Sequence, residues 1–226
     1  MRPTAPSGSS TCTTSSGPRS CEQTNARLRA CSSAGCAGAI HGGRNRKGGG
    51  APLRGCLRAS TFPARARAIR LLALDVDGVL TDGRLVYGPT GEELKVFQVQ
   101  DGLAIQAAQH AGLLVAVISS RASPAVSRRM ADLGVVEVHQ GARDKAAVLD
   151  GLLRRRGVAL RESAYMGDDL PDLPLLSRVG LALAPSNAAA EVKRVAHWVG
   201  RRSGGTGAVR EAVEAILKAR RAWPPA

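Results

Sequence analysis

Four short and nearly continuous apolar runs recur along the last two thirds of the 226-residue chain, separated by stretches with helical spacing. Each run stops at polar residues, as a buried strand of a parallel sheet does at its carboxyl end. The alternation of strands and helices predicts an α/β fold with a Rossmann-like, doubly wound parallel sheet, in which ligands bind at the carboxyl ends of the strands. The predicted strands span residues 69–74, 113–118, 163–166 and 181–184.

Caps and glycines mark the ends of the predicted helices. Asp and Pro favour helix starts, and a glycine after the last apolar position favours a helix end. Asp101 is expected to cap the first of these helices and Asp144 the third. The last helix follows the glycine-rich residues 204–207, which we expect to be a flexible lead-in. The predicted helices span residues 101–110, 124–133, 144–157 and 208–221.

One segment interrupts the alternation of strands and helices. Residues 85–87 and 94–97 are mostly apolar, and the turn sequence Gly88-Pro89-Thr90-Gly91 lies between them. This pattern predicts a β-hairpin insertion directly after the first strand. We expect the hairpin to project beside the ligand-binding edge of the sheet.

Residues 1–66 differ in composition from the rest of the chain. They hold 10 of the 32 Lys and Arg residues but only one acid, Glu22, and so carry most of the net charge of +14. They show no apolar periodicity, which predicts a disordered basic extension ahead of a folded domain at residues 67–226. The extension fits an organellar transit peptide or translation upstream of the true start. A nucleic-acid-binding arm is less expected, because Phe62 is the only aromatic residue before Tyr87.

Cysteine placement and the length of the apolar runs exclude several other classes of protein. All five cysteines lie in residues 1–66 without a repeated C-x-x-C spacing, so we expect neither a zinc site nor a disulfide framework. The apolar runs are far shorter than the ~20 residues that span a bilayer, so no membrane partner is expected. These features predict a soluble cytoplasmic protein, or an organellar one if residues 1–66 are a transit peptide.

Residues suited to chemistry gather at the predicted strand ends. Asp75-Val76-Asp77-Gly78 follows the first strand, Ser119-Ser120-Arg121 the second, and Gly167-Asp168-Asp169-Leu170-Pro171-Asp172 the third. Lys145 begins the helix between the last two motifs. Each motif alone could be a turn, a helix cap or a solvated surface residue, but together they suit phosphate chemistry. A phosphate dianion repels anionic nucleophiles, and a carboxylate-bound metal ion with cationic donors relieves that repulsion.

The order of these motifs resembles the haloacid dehalogenase superfamily of phosphatases. Over about residues 67–221 the chain is similar to one family within it, the 3-deoxy-D-manno-octulosonate 8-phosphate phosphatases. One departure is Ser119-Ser120, where that family usually has Thr-Gly; the hydroxyl is kept. The similar segments are DVDGVLTDG at 75–83, FQVQDG at 97–102, SRAS at 120–123, GARDK at 141–145, GDDLPDL at 167–173 and GGTGAVRE at 204–211.

The resemblance implies hydrolysis through an aspartyl-phosphate. Asp75 would be the nucleophile, and Asp77 would protonate the leaving alkoxide and then activate water. Ser119 and Lys145 would hold the transferring phosphoryl oxygens, and Lys145 would also keep Asp75 ionised.

The resemblance also implies a Mg²⁺ cofactor. Asp75, Asp168 and the carbonyl of Asp77 would hold the ion, and Arg121 would bind substrate together with Ser119 and Lys145. The remaining candidates, outside the first ring of metal ligands or in a lid, are Asp169, Asp172, Gly205 and Arg210.

The spacing between motifs leaves no room for a cap domain. A hairpin and a helix fill the interval from Asp75 to Ser119, and a helix and a strand fill the interval from Lys145 to Asp168. The resemblance then implies a homotetramer in which the hairpins pack together and residues 204–210 of a neighbouring subunit act as a lid over the site.

We therefore expect a phosphatase for a small acidic sugar phosphate, 3-deoxy-D-manno-octulosonate 8-phosphate, in lipopolysaccharide synthesis. Sialic-acid phosphate phosphatases and the phosphatase-like part of cytidylyltransferase proteins share the motifs and remain alternatives. An alternative of another class is a polyanion-binding protein that uses residues 1–66, whose affinity would fall steeply with salt.

Overall fold

A computed structural model describes residues 61–224, which form a six-stranded parallel sheet with helices on both faces. The strand order is β5-β4-β1-β6-β7-β8, which confirms the predicted Rossmann-like α/β fold. Residues 1–60, which make up most of the predicted basic extension, lie outside the described residues. The sheet strands are β1 (Leu71–Leu74), β4 (Leu114–Ile118), β5 (Glu137–His139), β6 (Ser163–Met166), β7 (Leu181–Ala184) and β8 (Trp198–Val199).

The four predicted strands form the buried centre of the sheet. β1 pairs in parallel with β4 on one side and with β6 on the other, and all four of its residues are buried. The first two residues of the predicted run, Ile69 and Arg70, lie before the strand, because Ile69 ends the preceding helix. β5 and β8 were not predicted; they are two or three residues long and only partly buried, so they carry no continuous apolar run.

The helices divide between the two faces of the sheet. Side chains of α1, α2, α3 and α7 pack into one apolar cluster, and those of α4, α5 and α6 pack into another. No helix among residues 61–224 is both long enough and apolar enough to cross a membrane. The helices are α1 (Phe62–Ala68), α2 (Val99–His110), α3 (Pro124–Asp132), α4 (Lys145–Arg156), α5 (Leu173–Leu176), α6 (Ala190–Val195) and α7 (Ala208–Ala219).

Helices α3 and α7 begin at Pro124 and Ala208 as predicted, whereas of the two predicted Asp caps one is present and one is not. Asp144 caps α4, and its side chain accepts a hydrogen bond from the N–H of Ala147 at 3.0 Å, as predicted. Asp101 does not cap α2, which begins two residues earlier behind Gln98. The Asp101 carboxylate is buried and accepts a hydrogen bond from the N–H of Arg210 at 2.7 Å, so it ties α2 to α7.

The predicted hairpin is present directly after β1. It consists of β2 (Val86–Tyr87) and β3 (Glu93–Leu94), which pair antiparallel. Its second strand lies nearer the turn than predicted, and Val96 and Phe97 lie beyond it. Its apolar side chains are exposed, with 60% of Tyr87 and 75% of Val96 accessible to solvent.

The start of the folded domain differs from the predicted boundary at residue 67. α1 begins at Phe62, and Ala66 within it is fully buried. The ring of Phe62 lies 6.0 Å from that of Trp198. Residues 62–66 therefore belong to the domain; their apolar content is too small to show a periodicity in the sequence.

The glycine-rich residues 204–207 are packed rather than a free lead-in to α7. Gly204 donates a hydrogen bond to Asn187 Oδ1 at 2.8 Å, and Gly205 donates one to the carbonyl of Val79 at 3.1 Å. A Cβ atom on Gly204 would lie 1.9 Å from the carbonyl oxygen of Gly78. Only a glycine permits this approach of the two backbones.

Candidate active site

The carboxyl ends of β1, β4 and β6 surround one cavity of about 290 Å³. Its position follows from the parallel sheet, whose strands deliver their following residues to one edge. Eight of the predicted site residues line this cavity. They are Asp75, Asp77, Ser119, Arg121, Lys145, Asp168, Asp169 and Asp172.

Lys145 joins two carboxylates at the base of the cavity. Its Nζ lies 2.8 Å from Asp75 Oδ2 and 2.8 Å from Asp172 Oδ1. Asp75 also accepts the N–H of Val76 at 2.7 Å. Burial and the charge of Asp172 raise the pKa of Asp75 to about 6, against the lowering effect of Lys145. The lysine thus offsets part of the cost of keeping Asp75 ionised.

Asp172 is held by four hydrogen bonds. Its Oδ1 accepts from Lys145 and, at 2.7 Å, from the hydroxyl of Tyr165, a fully buried residue of β6. Its Oδ2 accepts from the backbone N–H groups of Asp168 and Asp169 at 3.0 and 3.3 Å. Both carboxylate oxygens are therefore occupied, and Asp172 fixes the loop that carries Asp168.

The acidic residues of the cavity fit a divalent cation. Oxygen atoms of Asp75, Asp168 and Asp172 lie within 4.8 Å of one another. Burial, then the charges of Asp75 and Asp172, raises the pKa of Asp168 to about 7. Five carboxylates and two cationic side chains line the cavity, so a cation is needed before a phosphate dianion can enter. Carboxylate oxygens are the donors that Mg²⁺ prefers.

Asp77 lies in a second charge cluster, between β1 and the hairpin. Its Oδ1 is 2.5 Å from Lys95 Nζ, and Lys95 also lies 2.8 Å from Glu93 Oε1. Arg121 pairs with Glu93, and its Nε is 3.6 Å from Asp77 Oδ2. The hairpin thus contributes two charged residues beside the cavity.

The backbone around the cavity is shaped by Ser119 and Gly78. The Ser119 hydroxyl is buried and accepts the N–H of Arg121 at 3.2 Å. Gly78 has a φ of +85°, and a Cβ atom there would lie 1.9 Å from Asp168 Oδ2. A side chain at Gly78 would therefore displace the carboxylate that we expect to bind metal.

Two predicted residues do not line the cavity. Gly205 packs behind the loop that follows Asp77, against the backbone of Thr81 and Asp82. Arg210 pairs with Glu214 at 3.6 Å and lines a separate open cleft of about 920 Å³ beside α7.

Three charged or polar residues at the site were not predicted from the sequence. Glu93 lies in β3, Lys95 directly follows it, and Tyr165 lies in a buried strand. The sequence did contain a signal, since a polar residue inside an apolar run is buried only when it has a polar or charged partner. The signal indicates that a partner exists but does not identify it.

Comparisons with known proteins agree on one family. Residues 131–211 match the family of haloacid dehalogenase-like hydrolases. The chain is 43% identical over 156 residues to the 3-deoxy-D-manno-octulosonate 8-phosphate phosphatase KdsC of Escherichia coli strain K12. This match covers 69% of the chain and 83% of the relative.

Two solved structures share the fold. A haloacid dehalogenase superfamily (subfamily III A) hydrolase from Legionella pneumophila is 43% identical, with a TM-score of 0.70 over 71% of this chain and 88% of that one. The 3-deoxy-D-manno-octulosonate 8-phosphate phosphatase of Moraxella catarrhalis, solved with magnesium, phosphate and KDO, is 41% identical. Its TM-score is also 0.70, over 71% of this chain and 92% of that one. The chain therefore belongs to the haloacid dehalogenase superfamily, in the family of the 3-deoxy-D-manno-octulosonate 8-phosphate phosphatases.

Proposed function

We propose that the protein is a Mg²⁺-dependent phosphatase that hydrolyses 3-deoxy-D-manno-octulosonate 8-phosphate through an aspartyl-phosphate. The observation that carries this proposal is the grouping of Asp75, Lys145 and Asp168 in one cavity at the strand ends. The relative from Escherichia coli bears the name of this activity. The structure from Moraxella catarrhalis holds a magnesium ion together with phosphate and KDO, which are the two products of this reaction.

In the first step a carboxylate oxygen of Asp75 attacks phosphorus, and the bond between phosphorus and the sugar oxygen breaks. Lys145 holds Asp75 in place from 2.8 Å and offsets the negative charge that gathers at the phosphoryl group. Asp77 gives its proton to the departing alkoxide, so that the sugar leaves as a neutral alcohol.

In the second step Asp77 takes a proton from water, and the hydroxide formed attacks the aspartyl-phosphate. The bond between the phosphoryl group and Asp75 breaks, which releases inorganic phosphate and restores the free carboxylate. The Ser119 hydroxyl and the Arg121 side chain, which line the cavity, are the groups that we assign to binding phosphoryl oxygens in both steps.

Asp75, Asp168 and the carbonyl of Asp77 are the groups that we assign to Mg²⁺. When bound, the ion supplies positive charge that lets a phosphate dianion approach a carboxylate nucleophile. Asp172 is assigned a supporting role, because its two oxygens already accept four hydrogen bonds.

The hairpin supports a further part of the proposal, the homotetramer. The hairpin exposes five large apolar side chains, more than we expect of a hairpin that remains in contact with water. Burying them between subunits would stabilise a symmetric assembly. We call this set the hairpin patch. It consists of Leu85, Val86, Tyr87, Leu94 and Val96.

A phosphate-release assay tests the proposed function. We expect release from 3-deoxy-D-manno-octulosonate 8-phosphate with Mg²⁺, and none after chelation of the metal. A sialic-acid phosphate serves as the competing substrate, and a higher kcat/KM for it would reassign the substrate. Absence of release from any sugar acid phosphate in the presence of Mg²⁺ would contradict the proposal.

A further inference from the structure

Lys95 is a buried cation in a hairpin whose apolar side chains are exposed. Its side chain is 2% exposed, whereas Leu94 and Val96 on either side are 46% and 75% exposed. Burying an ammonium group is costly unless carboxylates pair with it. Lys95 meets that condition with Asp77 and Glu93, at 2.5 and 2.8 Å. The mechanism proposed above does not use this lysine.

The contacts of Asp77 show what the lysine does to the carboxylate. Lys95 engages Oδ1, while Oδ2 is buried and has no hydrogen-bond partner among residues 61–224. Arg121 approaches Oδ2 only to 3.6 Å. One oxygen is therefore anchored by the hairpin, which leaves the other as the oxygen without a hydrogen-bond partner among the described residues.

Glu93 and Arg121 complete the arrangement. Glu93 pairs with both Lys95 and Arg121, so the two positive charges are balanced by the two carboxylates of Glu93 and Asp77. Asp77 therefore has two cations near it, Lys95 and Arg121, rather than Lys95 alone. The carboxylate is held from two directions, by the hairpin and by the loop that follows β4.

We propose that Lys95 is a positioning residue for Asp77: it fixes Oδ1, so that the unpartnered Oδ2 is the oxygen that exchanges the proton once substrate occupies the cavity. The proposal rests on the proposed function, in which Asp77 is the acid and base. It extends that function by giving the hairpin a chemical task inside its own subunit. Loss of Lys95 should therefore lower the rate most for a substrate whose leaving group needs a proton from Asp77.

Two esters separate this role from a structural one. A sugar phosphate releases an alkoxide that needs protonation, whereas p-nitrophenyl phosphate releases a phenolate that needs little. We expect Lys95→Met to lower kcat/KM for the sugar phosphate by about 10- to 100-fold, which is less than the effect of removing a general acid altogether. For the aryl ester, kcat/KM should fall by less than about 3-fold. Lys95→Arg keeps the charge and is expected to recover at least half of the loss on a logarithmic scale.

Lys218→Met is the matched control, because Lys218 forms a surface pair with Glu214 at 2.6 Å and is 60% exposed. It should leave both kcat/KM values unchanged. Thermal unfolding confirms that each variant is folded, and Lys95→Gln replaces Lys95→Met if the latter is not.

A double-mutant cycle with Asp77→Asn gives the second readout. If Lys95 acts through Asp77, Lys95→Met should change the residual rate of Asp77→Asn by less than about 3-fold. Equal losses for the two esters, or fully additive losses in the cycle, would overturn the positioning role while leaving the proposed function intact. A wild-type chain without phosphatase activity on either ester would overturn the proposed function and this proposal with it.

Discussion

Two lysines reach the two aspartates of the Asp75–Asp77 segment from different parts of the molecule. Lys145 comes from α4, and its partners Asp172 and Asp75 are 1% and 10% exposed. Lys95 comes from the hairpin, and its partners Asp77 and Glu93 are 21% and 16% exposed. The first cluster is therefore part of the core, and the second is built on a projection beside it.

The difference in depth separates stability from chemistry. Without Lys145, two deeply buried carboxylates would lose their cation, a large cost in a low-dielectric environment. Without Lys95, the affected carboxylates lie nearer to solvent, which screens them. We infer that the Lys145 cluster holds the fold and the site together, whereas the Lys95 cluster acts mainly on the reaction.

Replacing the aspartates themselves should give the largest effects. We expect Asp75→Asn to lower kcat by at least about 1,000-fold, because an amide is neither a nucleophile nor a good Mg²⁺ ligand. Asp77→Asn should slow both formation and breakdown of the phospho-enzyme, by about 100- to 10,000-fold. Rapid-quench measurement of the phospho-enzyme checks both. More than a few per cent of activity in Asp75→Asn would exclude the covalent route.

Removing each lysine tests the comparison directly. Lys145→Met should lower the free energy of unfolding by about 3–5 kcal/mol, the range for breaking a buried pair. Lys95→Met should lower it by less, about 1–3 kcal/mol, because the two carboxylates that it leaves are partly exposed. Urea unfolding without metal measures both values. Equal losses of stability would show that the two clusters do not differ in the way described.

Metal binding should concern the Lys145 cluster and not the Lys95 cluster. Mg²⁺ at about 100 times its Kd should stabilise the wild-type chain by about 2.7 kcal/mol. The same increase is expected for Lys95→Met, and none for Asp168→Asn. Thermal unfolding with Mg²⁺ and with a chelator tests this. A normal metal response in Asp168→Asn would remove Asp168 from the ligand set.

Charges in the hairpin patch should separate assembly from the Lys95 contact. We expect the Val86→Asp, Val96→Asp double variant to be monomeric by light scattering and to lose about tenfold in kcat/KM, although neither residue touches the cavity. The free energy of unfolding of the isolated subunit should change by less than about 0.5 kcal/mol, since both side chains are exposed. A monomer with full activity would contradict a role for assembly in completing the site.

The sequence predicted the parts of the molecule that follow from local periodicity. Apolar runs located the four central strands, and the strand ends located Asp75, Ser119 and Asp168, because a parallel sheet places those ends together. The short edge strands β5 and β8 lacked such runs.

Long-range partners could not be predicted in the same way. Asp101 is of a residue type that commonly caps helices, but its carboxylate accepts a hydrogen bond from the backbone of Arg210. Only folding brings these two residues together. Lys95 reaches Asp77 across 18 positions, and Lys145 reaches Asp172 across 27. Neither contact lies within one helix or between the two paired strands of the hairpin.

The packing of the chain's last segment has a consequence for synthesis. Arg220 donates a hydrogen bond to the carbonyl of Ile69 across 151 positions, and Gly204 closes against the loop that begins at Asp75. The loop that follows β1 is therefore made well before the residues that support it. A nascent chain released after β7 would expose the apolar faces of α1 and α2 that α7 covers. Such fragments should be substrates for chaperones and proteases, and activity should arise only after α7 has packed against α1 and α2.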